Sequence, residues 1–330
     1  MTTPSIDWLE ALLAEARSAS DDAAAATAVA VKFGALLPLP GLGQTAVRWS
    51  VLAAVAEVDL TVARVLEAHS DALAILAEAG LATPAGSWGV FAAEAPDARL
   101  DATESDGGWT VTGTKPWCSL GGTLEHAVVT ARAGDGRRLF AVSLRAGAVR
   151  ADPPQGWVAR GLRTVTTVPV HFDQVLATPV GSADWYLTRP GFAWGGLGVA
   201  ACWLGGAQGL AATLRAGVAG GSRGGSIGEL HLGAVDAALY GARTVLLAAA
   251  AAIDAGEVAD PALLALRVRA VVADAAELTL RHVGHALGPA PLGFDAEHVR
   301  RVADLELYLR QHHAERDLAT LGARLLAAQP

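Results

Sequence analysis

The stretch GTKPWCSLGGTLEHAVVTAR, residues 113–132, sits inside a chain that otherwise reads as helix. Just upstream, GGWTVTGTKPW at 107–117 alternates its side chains with the period of a strand, and Asp106-Gly107 before it suits a tight hairpin turn. HAVVTARAGDGRRLFAVSL at 126–144 repeats the design, with a turn predicted at Asp135-Gly136. Thr166 to Phe172 alternates again. A compact β-domain is therefore predicted over residues 86–189.

Outward from it the pattern is helical on both sides. Asp7 to Ala16 places apolar residues on one face and acids on the other, LLPLPGLGQT at 36–45 must be a loop, and Trp49 to Gly80 supplies two further helical patterns. After Pro190 four long helices fit, at about 192–219, 227–255, 260–287 and 295–327, punctuated by Gly220-Gly221, Gly256 and the stretch from Gly288 to Pro291. The expected class is α+β: an N-terminal α-helical domain (1–85), the central β-domain (86–189) and a C-terminal antiparallel four-helix bundle (190–330).

Composition narrows the function classes. The 330 residues are 52% hydrophobic and 18% charged, with a formal net charge of −8 and basic residues scattered singly or in pairs, which argues against nucleic-acid binding. Two distant cysteines, Cys118 and Cys202, make neither a disulfide framework nor a metal-ligand pair, so a reduced cytoplasmic protein is expected. The first twenty residues are acidic and amphipathic, unlike a secretory signal. Phe192 to Leu214 carries no formal charge and is long enough to span a bilayer, but its glycines and Gln208 suit a buried bundle helix better. No membrane span is expected.

The order of domains, with residues 113–132, GLRTVTTVPVHFDQVLATP at 161–179 and Thr188-Arg189-Pro190, resembles the acyl-CoA dehydrogenase superfamily over nearly the whole chain. The resemblance implies a flavoprotein that binds FAD. It puts Trp117 against a face of the flavin ring and Ser119 on its edge, with Cys118 between them in the same strand. WGVFAAEAPDA at 88–98 resembles the family's first flavin loop, where Glu94 fits and Ala93 replaces the usual hydroxyl residue. SRGGSIGELHLG at 222–233 is similar to the segment that reaches the dinucleotide end across a subunit interface, with Arg223 as the cation and His231 where a glutamine is usual. GHALGPAPLG at 284–293 resembles the glycine-rich cofactor loop, best matched at Gly288.

The resemblance also implies α,β-dehydrogenation of an acyl-CoA-type thioester, with a carboxylate of raised pKa removing the Cα proton, electrons passed to an electron-transfer acceptor, and a dimer or a heteromer with a paralogue. Here the usual glutamate is missing: its position falls on His312, followed by His313, and Glu315 is the nearest carboxylate. A base at His312 or His313, a base at Glu315, a monooxygenase of the related class, or a non-catalytic subunit that stabilises a paralogue all remain open. His69 and Asp71 read as capping or surface residues of a helix, and no metal site is expected.

Overall fold

The computed structural model describes residues 7–221 and 225–327. Four helices come first: α1 (Leu9–Ser18), α2 (Ala23–Phe33), α3 (Thr45–Val58) and α4 (Leu60–Glu78). Asp22 and Asp59 start α2 and α4 by accepting the orphan N–H groups of Ala24 and Ala25 and of Val62. Almost every face of α4 is buried, because α2 and α3, the β-domain and the later helices all pack on it.

Seven strands follow: β1 (Trp88–Phe91), β2 (Leu100–Ser105), β3 (Gly108–Ser119), β4 (His126–Ala133), β5 (Gly136–Ser143), β6 (Val149–Ala151) and β7 (Thr167–Val180). The order β2-β3-β7-β5-β4 closes on itself, since β4 pairs with both β5 and β2, while β1 adds to β4 and β6 to β7. Closure leaves no free edge in the ring. The first hairpin turns on Asp106-Gly107, with Ser105 opposite Gly108. The second turns on Gly134-Asp135, one residue before the expected place, because Gly134 takes the left-handed conformation and Ala133 pairs with Gly136.

One irregularity in β3 places the site. Lys115 pairs with Val170 and Cys118 with Val168, so Pro116 and Trp117 together oppose Pro169. Neither proline has an N–H for the ladder, and the strand bulges there. Trp117 is forced to a left-handed φ of +56 and its side chain turns outward, 60% exposed.

The helices of the last part are α5 (Trp185–Thr188), α6 (Pro190–Ala219), α7 (Ser226–Asp254), α8 (Pro261–Leu287), α9 (Pro289–Phe294), α10 (Ala296–Leu309) and α11 (Glu315–Ala327). At the centre lies α6, packed against α3 and α8. Its glycines permit the approach: a Cβ at Gly205 would run into the Ala53 carbonyl. By length and composition both α6 and α7 could cross a membrane, but the most apolar window of α6 is 78% buried inside the protein, that of α7 33%. The helix expected over 295–327 is broken. Residues 310–314 leave helical geometry, Ala314 is left-handed, and Arg269 holds the Gln311 carbonyl at 2.9 Å.

Candidate functional site

Helical spacing sets Arg64, Glu67, Ala68 and Asp71 on one face of α4. They wall a cleft of about 800 Å³ whose other sides are Val90 of β1, the start of α6 around Arg189 and Phe192, the first turns of α8, and Gln311, His313 and Asp317. Sequence reasoning missed Arg64 and Glu67 and left Asp71 on the surface. The available signal was three charged residues at one helical repeat inside an otherwise apolar helix.

The cleft is lined by four carboxylates. Glu67 is buried, paired with Arg64 at 3.1 Å and hydrogen-bonded by Tyr308 at 3.2 Å. Burial pushes its pKa up to about 7 against the opposing pull of Arg64. Asp260 caps α8 and pairs with Arg324 at 3.0 Å. Asp317 accepts the His313 N–H at 3.2 Å. Asp71 faces Gly195 of α6, and burial raises its pKa, opposed by Arg189 and Arg48. Beside it Arg189 is 6% exposed, pairs with Glu78, and lies over the rings of Trp185 and Tyr186.

His69 does not reach this cleft. It is buried, its Nδ1 accepts the Trp88 N–H at 3.1 Å, and burial lowers its pKa to about 4. A neutral ring therefore fastens α4 to β1.

The break at 310–314 separates the two neighbouring histidines. His312 turns inward, edge-on to Trp203 at 6.0 Å, and its Nε2 is buried without a hydrogen bond among the described residues. Burial and then Arg269 lower its pKa. His313 faces the cleft with its side chain 62% exposed and Nδ1 3.4 Å from Asp317. Glu315, in the first turn of α11, is exposed and does not line the cleft. Of the candidates His312, His313 and Glu315, the structure sets both histidines near Asp317, His312 Nε2 at 3.8 Å and His313 Nδ1 at 3.4 Å, and of the three only His313 lines the cleft.

A second group of expected residues lies on the β-domain. Ser119 Oγ shares a 3.0 Å hydrogen bond with Thr167, and Ser119 lines a small recess that has Arg64, Ala68 and Val90 in common with the cleft. Cys118 points the other way, fully buried, its thiol pushed up to about 12 by burial, so its side chain cannot meet a ligand. Ala93 and Glu94 are exposed on the loop after β1, with Glu94 paired to Arg137. Trp117 lines neither the recess at Ser119, which holds about 20 Å³, nor the cleft; an exposed indole and a hydroxyl are the chemistry that a planar ring with a polar edge would meet.

The remaining expected residues are remote from this group. His231 of α7 meets His282 of α8, Nδ1 to Nδ1 at 2.9 Å. Gly288 joins α8 to α9 with a φ of +68, a backbone role that favours glycine. Arg223 lies outside the described residues.

A helical domain, a closed barrel carrying Trp117 and Ser119, and a helical bundle, with a cleft where the three meet, make up an acyl-CoA dehydrogenase-like fold. No protein-family model matches the sequence, and no curated protein matches it. Among solved structures it is similar to KijD3 in complex with FMN and dTDP-3-amino-2,3,6-trideoxy-4-keto-3-methyl-D-glucose, at 18% identity and TM-score 0.78 over 100% of this chain and 96% of that one. Glutaryl-CoA dehydrogenase from Mycobacterium smegmatis is similar at 19% identity and TM-score 0.78, covering 99% and 96%. The dibenzothiophene monooxygenase TdsC from Paenibacillus sp. A11-2 is similar at 16% identity and TM-score 0.74, covering 98% and 97%.

Proposed function

We propose that this chain is a flavin-dependent oxidoreductase, binding FAD and dehydrogenating an acyl-CoA-type thioester between Cα and Cβ. The observation that carries the reading is that the recess at Ser119 on the barrel and the cleft walled by α4, α6, α8 and residues 311–317 share Arg64, Ala68 and Val90 as walls. Solved structures of the same fold include FMN-bound and acyl-CoA-named enzymes.

Trp117 would cover a ring face and Ser119 donate to a ring edge. Bound FAD would supply a two-electron acceptor for the hydride that leaves Cβ. The Cα proton goes to His313, whose Nδ1 lies 3.4 Å from Asp317. Arg189 and Phe192 border the same cleft. An electron-transfer acceptor would take the electrons from the bound cofactor.

The exposed apolar side chains Leu230, Tyr240 and Leu247 lie within about 100° of one another around α7. They support an assembly through α7, a homodimer or a heteromer with a paralogue. A buried α6 supports a cytoplasmic protein with no membrane span.

A second reading, oxygenation of substrate with reduced flavin and oxygen, is favoured by one feature: histidines stand at 312 and 313 where the resemblance to acyl-CoA dehydrogenases places a glutamate. Anaerobic spectra of flavin-loaded protein with a panel of acyl-CoAs test the two. Bleaching by a thioester supports dehydrogenation. Bound flavin that no thioester bleaches moves the reading to oxygenation, and protein that takes up no flavin leaves only a structural subunit.

A further inference from the structure

Of the carboxylates that line the cleft, Asp71 alone makes no hydrogen bond and no close ion pair among the described residues, although the charges of Arg189, Arg48 and Arg64 act on it. Glu67 is held by Arg64 and Tyr308, Asp260 by Arg324 and the start of α8, and Asp317 by the 310–314 loop. Asp71 has no hydrogen bond and no cation within 4.0 Å among the described residues. The arginines around it are turned elsewhere: Arg48 donates to the Pro38 carbonyl and Ser70, Arg64 pairs with Glu67, and Arg189 pairs with Glu78. Asp71 is half-buried and lines the cleft, so a donor group inside the cleft can reach a carboxylate that no described residue hydrogen-bonds.

The space in front of it is kept open. A Cβ at Gly195 would lie 2.8 Å from Asp71 Oδ1, so only glycine leaves that oxygen facing the cleft. Tyr186 and Phe192 meet edge-to-face at 5.3 Å, and both line the same cavity. An unpaired carboxylate near aromatic rings suits a compact organic cation.

We propose that Asp71 is a specificity residue that binds a protonated amine on the substrate. The inference takes the cleft as the substrate site of the proposed flavoenzyme. An ammonium group supplies the donors that Asp71 lacks and favours its charged form against the burial that opposes it. Gly195 admits the group and the Tyr186–Phe192 pair borders it.

The test needs no flavin. The full chain is titrated calorimetrically at neutral pH with hexylamine hydrochloride, 1-hexanol and sodium hexanoate, and the series is repeated on Asp71→Asn. Wild-type protein should bind hexylammonium on the order of tenfold more tightly than the alcohol or the carboxylate, and Asp71→Asn should erase that preference while unfolding at the wild-type temperature or above. Equal binding of the amine by Asp71→Asn, a preference for hexanol or hexanoate, or no amine binding overturns the proposal. A parallel FAD titration separates it from the cofactor reading: amine preference without flavin uptake sinks only the latter, and flavin uptake without amine preference only the former.

Discussion

Tyr308 Oη donates to Glu67 Oε2 at 3.2 Å, tying α10 to α4 across 241 positions of sequence. The same oxygen takes Arg64 at 3.1 Å. This junction holds the loop before α11 against the cleft wall, so it is structural and part of the site at once. Tyr308→Phe should cost about 1–3 kcal/mol in a urea unfolding titration, because the buried carboxylate loses a donor. No change in midpoint would show that Arg64 alone satisfies Glu67.

Glu67 and His69 should tilt stability in opposite directions with pH. The raised carboxyl stabilises below its ordinary pKa of 4.5, and that contribution is lost as pH rises through about 7. The depressed imidazole stabilises above its ordinary 6.5, and that contribution is lost as pH falls through about 4. Each spans on the order of 3 kcal/mol across its window. Unfolding free energies measured from acid to neutral pH should show Glu67→Gln gaining on wild type as pH rises, and His69→Gln gaining on wild type as pH falls. Parallel curves for both variants would refute the assignment.

Trp117→Ala should weaken flavin binding about tenfold or more, as the loss of a stacked ring does, yet shift stability by no more than about 0.5 kcal/mol, since the indole is exposed. Fluorescence titration with FAD and FMN, together with thermal unfolding, separates the two effects. Affinity left intact would move the ring off β3.

The neighbouring histidines should behave differently. His313→Ala should slow reduction of bound flavin by substrate about a hundredfold, the ordinary worth of a positioned base, and leave stability near wild type. His312→Ala should disturb the packing on Trp203 and lower the unfolding temperature. The reverse pattern in stopped-flow reduction and calorimetry would restore His312 as the base.

On α7, Leu230→Asp combined with Tyr240→Asp should lower the mass seen by sedimentation equilibrium, because two buried charges oppose an apolar contact. An unchanged mass would remove α7 from the interface.

The barrel was legible because its strands are short runs rich in Val, Thr, Trp and Phe and Asp106-Gly107 announces a hairpin. Trp117 and Ser119 were singled out by the resemblance, and the bulge opposite Pro169 that turns Trp117 outward shows only once the partner strand is paired. The break at 310–314 was hidden: its cause is Arg269 reaching the Gln311 carbonyl from another helix, which no local pattern records. Asp71 was hidden for the same reason, since its setting depends on Gly195 of α6.

Flavin uptake by the purified protein, measured by equilibrium dialysis against FAD and FMN, tests the central claim most directly. The account predicts saturable binding of FAD at one per chain, weakened by Trp117→Ala and unaffected by Asp71→Asn. Folded protein that retains neither flavin would contradict it.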